Sequence, residues 1–149
     1  MILTSNALFI CSRDLLLAAI LGALIGLERK YARKEAGMRT FALISLGASL
    51  FLIINRLSYT QYFLMTGSNP SQVLSQIIIG IGFLGAGVII FHPTDNQVIG
   101  LTTAATMWAT AAIGAAVGLR LYGLAIVSTV LVMLINLIIL PIERRLDRK

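Results

Sequence analysis

Charge is scarce in this chain, and negative charge is scarcer: 12% of the 149 residues are charged and only six are acidic, against about 25% charged residues in ordinary soluble domains. With 58% hydrophobic residues and a mean hydropathy of +0.91, the sequence cannot cover a water-facing surface and reads as an integral membrane protein. Cysteine occurs once, at Cys11, which excludes an internal disulfide and a thiolate metal site and leaves a small apolar residue expected to be buried. Histidine also occurs once, at His92 near Asp95, a setting that suits a solvated loop residue better than a metal ligand. No nucleophile, base and orienting group recur together and no carboxylates pair, so neither enzyme chemistry nor a cofactor is expected. The net charge of +6 does not imply nucleic acid, because the basic residues flank apolar runs and suit topology signals and contacts to anionic lipid.

What the chain has in abundance is uncharged apolar sequence. Five runs, at about 12–28, 41–56, 73–91, 100–119 and 122–140, approach the length a helix needs to cross a bilayer. The expected fold is therefore all-α, a single 1–149 transmembrane domain of about five helices. The first run is short unless 10–13 extend it, and the N-terminus lacks the basic region of a cleaved signal peptide, so residue 1 onward is expected in the mature chain. Between the second and third runs, 57–72 is polar and turn-rich, with Gly67, Ser68, Asn69 and Pro70, and reads as a loop; 92–99 reads as a shorter one. The fifth run is expected to stop at Pro141. Nine of the twelve Lys and Arg lie after the first run or in the tail, which predicts an outer N-terminus and a cytoplasmic C-terminus.

Small residues mark the helix faces that approach closely. Gly22 and Gly26 are four apart on one face of the first run, the spacing that lets two backbones meet. The third run carries Gly80, Gly82, Gly85 and Gly87, spread around the helix, which predicts a helix packed on several sides at the bundle centre. These glycines also spell G-x-G-x-x-G, but no preceding strand and no acidic residue about twenty positions on support a dinucleotide site. In the fourth run Thr102, Thr106 and Thr110 share one face.

The segments G-A-L-I-G-L-E-R-K (22–30), A-G-M-R-T-F-A-L-I-S-L-G-A (36–48), S-Q-I-I-I-G-I-G-F-L-G-A-G-V-I (75–89) and G-L-T-T-A-A-T-M-W-A-T-A-A-I-G (100–114) together resemble the MgtC/SapB family of bacterial inner-membrane proteins. The resemblance covers about 15–140. It implies a multi-pass inner-membrane protein linked to low-magnesium adaptation, virulence and survival in macrophages, and to membrane energetics through the F-type ATP synthase as partner. Longer members carry a soluble C-terminal domain, which is not expected here because the sequence stops at Lys149. Carried over by position, the motif residues are Glu28, Arg29, Gly37, Arg39, Thr40, Gln76, Gly100, Thr102, Thr103, Thr106 and Trp108.

Two readings stand for each polar group. Glu28, Arg29 and Arg39 either anchor helix ends at the interface or form a polar cluster that touches a partner or permeant ion, with a Glu28–Arg39 pair geometrically available. Thr106 and Thr110 either bond their own helix or, with Thr102 and Gln76, line a polar cavity. Trp108 is expected to face another helix or a partner, and Asn136 to bridge helices. No Asp or Glu is expected inside an apolar core, which argues against a magnesium site in mid-membrane. The leading function is a small regulator that binds a membrane partner; the alternative is a small cation channel or transporter, and a homo-oligomer fits either.

Overall fold

The computed structural model describes residues 5–66, 70–92 and 96–146, with the side chains of 59–66, 70, 92 and 140–146 left aside. Five helices form an all-α bundle: α1 (Ser5–Tyr31), α2 (Met38–Thr66), α3 (Pro70–Val88), α4 (Leu101–Gly118) and α5 (Tyr122–Leu146). Each is long and apolar enough to cross a membrane. The first expected span gains a turn and more at its start, because nothing between Ser5 and Arg13 opposes a helix and the apolar residues Leu8, Phe9 and Ile10 favour the bilayer.

Two expected boundaries fail. The stretch after Arg56, read as a loop, continues as α2 to Thr66, since it holds no glycine or proline to end the helix before 67; the rest of the turn signal, 67–69, lies outside the described residues. Likewise α5 runs through Pro141 to Leu146, proline in a helix interior being costly but not always terminal. Between α3 and α4 the expected plain loop contains a two-stranded antiparallel ribbon, β1 (Ile90–His92) with β2 (Gln97–Ile99), in the register Ile90 to Ile99. The expectation for Asp95 and for the His92 side chain falls outside the described residues. Gly100 then starts α4 with φ of 89°, where a β-carbon would collide with the Val88 carbonyl, so this position needs glycine.

The bundle centre is α4, not α3. In the 18-residue span of α4, 61% of the residues are buried, against 11% in the 18-residue span of α3. Gly114 and Gly118 of α4 lie against the Ser45 and Ser49 backbone of α2; a β-carbon on Gly118 would stand 2.7 Å from the Ser49 carbonyl oxygen. Gly22 and Gly26 of α1 meet the other side of the same α2 stretch, at Phe41, Ser45 and Met38, as their spacing predicts. By contrast, a β-carbon on Gly80, Gly82 or Gly87 would meet nothing within 4 Å, and Gly85 alone of the four approaches a neighbour, Ala104. Close packing uses the glycines that recur every fourth residue on the helices that pair, while the third-run glycines mostly meet no neighbour. The core between α1, α2 and α4 holds Ile25, Phe41, Met107, Ile113 and Val117, and Cys11 is buried as expected.

Candidate functional site

Polar chemistry gathers at two levels of the bundle. At the first, Glu28 and Arg29 close α1 and are both buried. The Arg29 guanidinium lies 3.9 Å from Glu28 Oε2, and its Nη2 donates a long 3.4 Å bond to Thr103 Oγ1 on α4. Asn136 on α5 donates to Glu28 Oε2 at 3.1 Å, the helix bridge its sequence position predicts. Thr103 in turn donates to Glu35 Oε2 at 3.1 Å, tying the α1–α2 connection to α4. The Glu35 carboxyl, outside the spans, is held below the ordinary carboxylate range, first by a bond from its own backbone N–H and further by Thr103 and the nearby Lys34 and Arg29 cations. The turn is set by Arg33, at φ of 55°, which ends α1 by returning the Arg33 and Lys34 N–H groups to the Lys30 and Arg29 carbonyls.

The second level lies fourteen residues back along α1, about 21 Å by helical rise and so less than the roughly 30 Å of bilayer hydrocarbon. Here Asp14 is completely buried, which overturns the expectation that no acid enters an apolar span. Its Oδ1 accepts from Arg13 Nη2 at 2.9 Å and from Tyr122 Oη at 2.9 Å, and its Oδ2 faces Arg120 Nε at 3.7 Å and Arg56 Nη2 at 3.8 Å. Arg13 also donates to Tyr122 Oη at 2.8 Å and lies over its ring. Arg56 reaches across to donate to the Gly118 carbonyl at 3.1 Å. Arg120 adopts φ of 62° in the α4–α5 turn, a backbone state costly for arginine. One carboxylate thus joins α1, α2, the α4–α5 turn and α5. Sequence reasoning missed it, although a single acid followed by thirteen residues without charge was the available signal.

The remaining predicted residues separate. Arg39 and Thr40 are exposed at the start of α2, and Glu28 is paired with Arg29 and Asn136 in place of Arg39. Thr106 and Thr110 donate to the carbonyls four residues back, at 2.7 and 2.8 Å, and Thr102 is exposed, so this face binds its own helix. Gln76 lies apart from them, in a groove of about 1480 Å³ between α2 and α3. That groove has an apolar wall of Ile44, Phe51, Ile77 and Leu84, a floor of Met107 and Ala111, and a rim at one end bearing Lys30, Lys34, Glu35 and Arg39. Trp108 is half exposed and edges a smaller cleft of about 250 Å³ between α3, α4 and the start of α5. Among the described residues no three of His, Cys, Asp and Glu gather closely enough to hold a metal ion.

Comparison with known proteins places this arrangement. The model of the MgtC family matches residues 15–145. The protein YhiD of Escherichia coli (strain K12), proposed by its name to be a magnesium transporter, is 40% identical over 123 residues, which are 81% of this chain and 56% of YhiD. Protein MgtC of Salmonella typhimurium (strain LT2) is 39% identical over 137 residues, 91% of this chain and 54% of its own length. Protein MgtC of Brucella abortus (strain 2308) is 42% identical over 130 residues, 87% of this chain and 51% of its own. The chain therefore spans about half the length of the curated relatives it matches. No solved structure matches it.

Proposed function

The chain belongs to the MgtC family, and from that membership we propose that it is an inner-membrane regulator of magnesium adaptation and membrane energetics that acts by binding another membrane protein rather than by chemistry. The partner we assign is the F-type ATP synthase, with the N-terminus of this chain outside, its C-terminus in the cytoplasm, and a role in virulence and survival inside macrophages. The observation that carries this reading is the outer face of α3. Gly82 and Ala86, four apart, are exposed there beside Ile79 and Phe83, which are 65% and 81% exposed. Elsewhere in this bundle glycines at that spacing, Gly22 with Gly26 and Gly114 with Gly118, are each covered by another helix. A small-residue strip turned to lipid lets a further helix approach at backbone distance.

The test is ATP-driven proton pumping in inverted vesicles with and without the protein. Pumping is expected to change with the wild type and to return to the baseline with Gly82→Leu, a substitution with open space around it. Unchanged pumping with the wild type sinks the proposal.

A second reading, a small cation channel or transporter, is favoured by the name of YhiD and by Asp14 and Glu28 buried among helices at membrane depth. Cation flux in liposomes holding only this protein, with pumping unaffected, would select it.

A further inference from the structure

We infer that the groove between α2 and α3 binds a phospholipid of net negative charge, its phosphate held by Lys30, Lys34 and Arg39 and an acyl chain laid along the apolar wall. Arg13, Arg56 and Arg120 are all drawn to Asp14, and Arg29 to Glu28. Among the described residues no ion pair joins Lys30, Lys34 or Arg39 to any acid, although all three border one end of the same groove. The single acid beside them, Glu35, spends its carboxylate on Thr103 and its own backbone, so the rim keeps a net charge of about two positive units.

The rest of the groove supplies the second half of the match. Its walls are Leu43, Ile44, Phe51, Ile77 and Leu84, and Gly47 and Gly80 widen it, since a β-carbon at either would meet nothing within 4 Å. Leu43, Phe51 and Leu84 remain 67%, 60% and 53% exposed, so the groove opens sideways, toward the acyl chains of a surrounding bilayer. A free phosphate would satisfy the rim and leave this wall unmatched. A second copy of the chain fits poorly: a two-fold contact along the membrane normal would set one basic rim beside the other. An anionic lipid answers both parts, as in other basic pockets between transmembrane helices. This surface lies on a different side of α3 from Gly82 and Ala86, so the two proposals stand or fall separately.

The experiment is native mass spectrometry of the purified full chain, incubated with phosphatidylglycerol, cardiolipin or phosphatidylcholine. At about one kilocalorie per mole for each basic residue near a lipid surface, less the charge of Glu35, the anionic lipids should be retained roughly thirtyfold better than phosphatidylcholine. Replacing Lys30, Lys34 and Arg39 together by glutamine should remove that preference. Gly47→Leu with Gly80→Leu, which fills open space, should reduce retention of all three lipids. Helical circular dichroism of each variant confirms that the bundle persists. The inference is overturned if the triple variant keeps its preference, if the filled groove retains lipid as well as the wild type, if inorganic phosphate displaces the lipid, or if the groove variants change the oligomeric state and leave lipid retention unaltered.

Discussion

Asp14→Asn tests whether the buried carboxylate holds the second polar level of the bundle together. The substitution preserves shape and keeps an acceptor for Tyr122, whose hydroxyl donates at 2.9 Å. It removes the charge that faces Arg13, Arg56 and Arg120 and turns an amide N–H₂ toward guanidinium groups now at 3.7 and 3.8 Å from Oδ2. Breaking one side of a buried ion pair costs about 3–5 kcal/mol when the remaining cation cannot reach water. Here the Arg13 and Arg120 side chains are 56% and 48% exposed and can turn outward, so their share is small; Arg56, at 28%, is the cation left most confined. The expected loss is about 2 kcal/mol, which for a chain of this size lowers the thermal midpoint by roughly 4–8 °C. Thermal unfolding in detergent measures it, with Arg56→Gln and the double variant completing a cycle. A coupling of at least about 0.5 kcal/mol between the two positions is expected. An unchanged midpoint for Asp14→Asn, or strictly additive effects, would refute the view that this carboxylate ties α1 to α2.

Two contrasts extend the same reasoning. Gly114→Ala drives a methyl into the Ser45 carbonyl at the α2–α4 contact, whereas Gly82→Ala has open space; the first should lower the thermal midpoint by the equivalent of about 1–3 kcal/mol and the second should leave it unchanged, and equal effects would contradict the assignment of α4 to the centre. Glu35 carries the pH dependence. Its folded value is depressed below the ordinary carboxylate range, so its stabilising contribution is present above the unfolded pKa of about 4.3 and is lost as pH falls through the lower folded value. The midpoint difference between wild type and Glu35→Gln should therefore shrink as pH is lowered below about 4, and a difference that does not vary with pH would remove the Glu35–Thr103 link from the account.

Much of this molecule is legible in its sequence. Partition into lipid is local and nearly additive along the chain, so the five apolar runs announce five spans, and the repeat of Gly22 and Gly26 marks a close contact wherever the partner helix comes from. The burial of Cys11 and the bridging role of Asn136 follow from the same local logic, a small apolar group and a lone amide each set in a span. What tertiary structure alone decided is which faces meet. Glycine content points to α3, with four glycines against two in α4, as the central helix, and only the relative rotation of the helices puts Gly114 and Gly118 on Ser45 and Ser49 while Gly82 turns to lipid. The same holds for charge: Glu28 is held by Arg29 and Asn136, and Asp14 is reached by arginines 42 and 106 positions away in the chain. Pairing across such separations is set by helix register, because a rotation of one residue, about 100° around the axis, would carry each of these side chains from the interior to the lipid.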